Sequence, residues 1–95
     1  MINVEQAQLC IGHIGKSAFD THDFIKQFMN DFERDYVELL YNYRNASNGI
    51  YRSAHASIGR FLMDQHKQLR ILPISKEQSS NIKGNISENQ LWERE

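Results

Sequence analysis

The chain has 95 residues, of which 40% are hydrophobic and 24% charged, with a formal net charge of -1; this suffices for one small domain (1–95) and argues against wholesale disorder. The single cysteine, Cys10, excludes an internal disulfide and the usual structural zinc sets within one chain. No run approaches the roughly 18 apolar residues that span a bilayer, and no basic region followed by an apolar stretch opens the chain, so a cytoplasmic protein with no membrane partner is expected.

In residues 3–14, Val4, Ala7, Ile11 and Ile14 recur at intervals of three and four, the spacing of an amphipathic helix. Asn3 is placed to cap its start, with Glu5 and Gln6 in the first turn, and Gly12 and Gly15 weaken its end. The next boundary is the sharpest local signal in the chain. In Phe19-Asp20-Thr21-His22-Asp23-Phe24, Asp20 suits the N-cap, Asp23 stands at N3, and Phe19 with Phe24 occupy the two positions of a hydrophobic staple. His22, in the first turn of that helix, is expected at the surface. Phe24, Phe28, Phe32, Tyr36, Leu39, Leu40 and Tyr43 then continue one apolar stripe, read as core because it shares the phase of the leucines among acidic neighbours. The stripe fits one helix to about Tyr43 or two that break near Asn30, with Asp31 as the second cap; the break is preferred.

Residues 44–49 (RNASNG) form a turn by composition, with Gly49 free to take positive φ. Beyond it, residues 50–67 make a helix with two contrasting faces. Tyr51, Ala54, Ile58, Phe61, Leu62 and Gln65 lie along one stripe, while Arg52, Ser53, Ala56, Ser57 and Arg60 fall opposite. Short side chains punctuated by arginines suit a surface that approaches an anion closely. Charge is unevenly distributed in the same sense. Residues 1–50 carry four basic against seven acidic side chains, and residues 51–83 carry six basic against two acidic ones. One side of a small protein can thereby face an anion while the other is repelled from it, although short segments of a neutral protein often differ this much.

After Lys67, Leu69, Ile71 and Ile74 around Pro73 read as a short extended segment. Residues 75–88 are polar and read as an exposed loop, and residues 89–94, with Leu91 and Trp92, as a returning strand or as an irregular tail anchored by Trp92. The fold expected is mainly α: a bundle of three to four helices containing a helix-turn-helix, with a short C-terminal β-hairpin as candidate wing. Three helices followed by a hairpin resembles the element order of winged helix-turn-helix domains, though no family-specific motif accompanies it.

Chemistry has few footholds. There is no phosphate-binding glycine loop, HExxH or paired CxxC, so no cofactor is expected. His55 and His66 share a helix face but stand some 16 Å apart by helix rise, too far for one metal. Cys10 and His13 are neighbours at i and i+3 with no orienting third group, so catalysis is not expected either.

Two function classes remain. In a DNA-binding regulator, Arg52, Ser53, Ala56, Ser57 and Arg60 enter the major groove, and His55, Lys67 and Arg70 meet phosphates. Lys76 and Lys83 on the wing add backbone contacts, and a homodimer is expected because one copy offers few phosphate contacts. In an interaction or inhibitor protein, Asp31, Glu33, Asp35 and Glu38, or the Trp92 tail, form the contact surface with another protein.

Overall fold

Caps and stripes decide where the helices begin and which side they bury. The computed structural model describes residues 2–95. Helix α1 (Val4–Ile14) starts in a capping box: the Asn3 side chain accepts from the Gln6 backbone N–H at 2.8 Å and the Gln6 side chain accepts from the Asn3 N–H at 3.1 Å. It ends at Gly15, whose φ of 68° closes the last turn at little cost. A short strand, β1 (Ala18–Asp20), leads into α2 (Thr21–Asp31), where Asp20 and Asp23 form a second capping box and Phe19 and Phe24 are both buried. Helix α3 (Glu33–Asn42) follows after Phe32, so the aromatic stripe belongs to two helices. The break carries no side-chain cap: Asp31 instead accepts a hydrogen bond from Gln27 at 2.9 Å and pairs with His13 at 2.7 Å.

Residues 43–49 lead to the long helix α4 (Ile50–Leu69), which begins at Gly49 with φ 102° and ends at Arg70, a left-handed non-glycine residue with φ 57°. Strands β2 (Ile71–Ser80) and β3 (Ile86–Arg94) form an antiparallel hairpin. The sheet order is β1-β3-β2, with Phe19 opposite Trp92. Pro73 lies on the edge strand β2, where its missing N–H leaves a register irregularity before Ser75 and where Ile74 stays half exposed.

The molecule therefore mixes helix and sheet, and mainly α describes it only in part: four helices pack with a three-stranded antiparallel sheet. The segment 75–88, expected as a loop, is mostly strand, and the connection shrinks to residues 81–85. A ribbon with polar residues on both faces shows no apolar alternation, so its order comes from ladder hydrogen bonds invisible to a periodicity reading.

One core collects the apolar faces of all these elements. Ala7, Cys10 and Ile11 of α1 meet Phe24, Ile25 and Phe28 of α2, Tyr36 and Leu39 of α3, and Ala54, Ile58 and Leu62 of α4. Ile71 and Trp92 close it from the sheet side, which ties the hairpin to the helices. Among the described residues no helix is long and apolar enough to cross a membrane.

Candidate nucleic-acid interface and the cleft beneath it

Helix α4 turns Ala54, Ile58, Leu62 and Leu69 to the core, and its opposite side reaches solvent. Arg52, Ala56, Arg60, Met63 and Lys67 recur there at spacings of four, four, three and four, and all are exposed. This stripe runs for roughly 22 Å along the helix. Ser53 and Ser57 sit on its flank, half-buried, and the Ser57 hydroxyl donates to the Ala54 carbonyl at 2.6 Å.

His55 departs from its expected place. Its Nε2 is hydrogen-bonded to the Tyr36 hydroxyl at 2.7 Å, and its ring stacks on Tyr36 and meets Tyr51 edge-on. Burial pushes the imidazole down to about 4, helped by the neighbouring His22 and Lys83, so at neutral pH it carries no charge for a phosphate. Burial likewise raises the Tyr36 phenol to about 12, with Tyr51 adding to the effect. His55 links α3 to α4; it is not a surface cation.

The hairpin carries the remaining basic residues. Lys76 is exposed on β2, and Lys83 stands at the tip with its ammonium 4.9 Å above the Tyr51 ring, so the tip reaches back to the start of α4. Asn81 shapes that tip by accepting from the Lys83 and Asn85 N–H groups, each at 3.0 Å. Arg70 is exposed at the far end of α4.

Between α4, the start of α2 and the hairpin lies a cleft of about 600 Å³. Arg52, His55, Ala56 and Lys76 all line it, whereas Arg60, Lys67, Arg70 and Lys83 do not. Its apolar wall comes from Ile25, Met63 and Trp92, and its polar side from Asn81, Ser87, Asn89 and Gln90.

His22, expected at the surface, is instead buried against the hairpin. Its Nδ1 is 2.8 Å from the Ser79 hydroxyl, its Nε2 is 3.3 Å from that of Ser87, and its backbone N–H donates to Asn89 Oδ1 at 2.9 Å. Thr21 accepts from the Trp92 indole N–H at 3.0 Å. These bonds fasten the start of α2 to β2 and β3, and their partners stand so far along the chain that no local signal announces them. Asp20 belongs to the same junction. Burial works to raise its carboxyl, but the nearby Ser79 hydroxyl, the Asp23 backbone N–H that donates to it at 2.8 Å and the neighbouring Glu77 hold it below the usual range. Glu77, hydrogen-bonded to Asp20 and close to its charge, is pushed above it.

Cys10 is buried, and burial followed by the nearby Asp31 charge raises its thiol to about 12, well above the reactive range. Among the described residues no group of three or more His, Cys, Asp or Glu side chains could hold a metal ion.

The second surface considered in the sequence changes more. Trp92 is 1% exposed and cannot serve as a contact tail. Asp31 is paired with His13 and Asp35 accepts from Gln6 at 2.8 Å, which leaves Glu33 and Glu38 beside the exposed Val37 and Tyr41 of α3. No protein-family model, curated protein or solved structure matches this chain.

Proposed function

We propose that this protein is a non-catalytic DNA-binding regulator of winged helix-like architecture, with α4 as its recognition helix and the β2–β3 hairpin as its wing. One observation carries the reading: Arg52, Ala56, Arg60 and Lys67 share the solvent face of α4, and Lys76 and Lys83 lie on the hairpin that flanks it. Arginines can read guanine edges or bind phosphates, while Ala56 allows the helix backbone to approach the groove. Residues 43–49 make a longer connection than the usual three- or four-residue turn of a helix-turn-helix, so the likeness rests on element order and on the charged face.

Binding to random duplex DNA, followed as a function of salt, tests this directly. Measurable affinity at low salt should fall steeply as salt rises. Arg52→Ala or Arg60→Ala should each weaken it and lower the salt slope by about one for every phosphate that is no longer neutralised. Absence of binding at low ionic strength would overturn the reading.

A specific feature favours a second reading, a protein-interaction surface on α3. Val37 and Tyr41 are 57% and 60% exposed, one turn apart, with Glu33, Arg34 and Glu38 beside them. Exposed apolar side chains rimmed by charge are common where one protein meets another.

A further inference from the structure

The cleft between α4 and the hairpin has features that DNA binding does not require. Its volume of about 600 Å³ falls within the range of small-molecule sites, and a duplex cannot enter a space of that size. The helix wall is kept low by Ala56 and Gly59, and a Cβ built at Gly59 would meet nothing within 4 Å. Ile25 and Trp92, both members of the core, supply an apolar floor, with Met63 at the mouth. Arg52 and Lys76 enter from opposite elements, one from α4 and one from β2. Among the described residues neither has a carboxylate within ion-pairing distance, although Glu88 also lines the cleft. The other polar groups at hand are amides and hydroxyls, such as those of Asn81, Gln90 and Ser87, and the imidazoles of His22 and His55.

An apolar floor beneath two unpaired cations selects for a ligand with matching halves. We propose that this cleft binds a small amphipathic carboxylate, its hydrocarbon part against Met63 and the low wall at Ala56 and Gly59, above a floor closed by Ile25 and Trp92, its carboxylate between Arg52 and Lys76. Burial of the hydrocarbon supplies affinity, and the two cations supply orientation and the preference for an anion. Arg52 and Ala56 belong both to the exposed face of α4 and to the cleft, so DNA and this ligand would compete for Arg52, but binding of the carboxylate to the free protein does not require that DNA bind.

The test uses 4-phenylbutyrate as probe, with 4-phenylbutanol as its neutral counterpart and inorganic phosphate as an anion without an apolar part. Binding is read by titration calorimetry and by the fluorescence of Trp92, the single tryptophan. The carboxylate should saturate with a dissociation constant of about 1 mM or tighter, and the alcohol and phosphate should each bind at least about tenfold more weakly. Arg52→Ala and Lys76→Ala should each weaken the carboxylate by about tenfold, toward the level of the alcohol. Gly59→Leu, which fills the open space from a helix position that favours leucine, should abolish binding while the circular dichroism spectrum stays native. No saturable binding up to about 10 mM, phosphate binding as tightly as the carboxylate, or undiminished binding to Gly59→Leu would each overturn the proposal.

Discussion

Individual side chains at the helix junctions respond to solution conditions in ways their neighbours dictate. His55 is the clearest, held between Tyr36 and Tyr51 with its pKa depressed from 6.5 to about 4. Folding therefore favours the neutral ring, and its contribution to stability is fully present above pH 6.5 and is lost as pH falls toward 4. Chemical denaturation across that window should show wild-type stability falling faster than that of His55→Phe, which has no imidazole to protonate. Parallel profiles would show that the imidazole is freely solvated. Cys10 and His22 make contrasting points. The apolar run around Cys10 already marks it as a small buried side chain, whereas for His22 the decisive groups, Ser79 and Asn89, are 57 and 67 positions away.

Elements are bounded here mostly by local chemistry, and one boundary is strained. Arg70 ends α4 in the left-handed region, its N–H bonded to the carbonyls of His66 and Lys67 and its own carbonyl accepting from the Glu95 N–H at 2.9 Å. Glycine adopts that conformation without a Cβ penalty, so Arg70→Gly should raise stability by about 0.5–1 kcal/mol in urea unfolding. A loss of stability would mean that the Arg70 side chain contributes packing that outweighs the backbone gain. The two capping boxes and the aromatic stripe are legible from residues within a few positions of one another. β1 is not, because three residues have no period to read and their partners, Glu93, Trp92 and Leu91, belong to a distant strand. The hairpin is half legible: Pro73 marks an edge, but the polar run after it looks like a loop until its partner strand supplies the ladder.

Across the whole molecule, exposed apolar side chains occur both on α3, at Val37 and Tyr41, and among the basic residues of α4 and the hairpin, at Met63, Ile74 and Ile86. The basic face of α4 and the hairpin is separate in sequence from the α3 patch of Val37 and Tyr41. A DNA-binding reading with few phosphate contacts per copy calls for a homodimer, and the α3 patch is the surface that would build one. Light scattering coupled to size exclusion should then give twice the mass of 11.2 kDa, shifting toward the monomer in the double variant Val37→Ser, Tyr41→Ser. A wild-type monomer at high concentration would leave α3 to a different protein and require DNA binding by a single copy. Of the candidate DNA contacts, the exposed arginines and lysines are legible as a surface set, because an amphipathic helix announces both of its faces. His55 is not, because the side chain that claims it belongs to another helix.

The sequence by itself determined where α1, α2 and α4 start, most of the residues that face inward (Tyr51, read onto the apolar stripe of α4, is instead 41% exposed), and that a basic helix face precedes a basic C-terminal segment. Those properties follow from contacts within one or two helical turns, which spacing alone encodes. Only the tertiary structure decided that residues 71–94 pair as a sheet, that His22 is buried beneath it, and that Arg52 and Lys76 line one cleft floored by Trp92. Each of these depends on partners brought together by burying a shared core, and a polar hairpin carries no periodic signal to reveal them in advance.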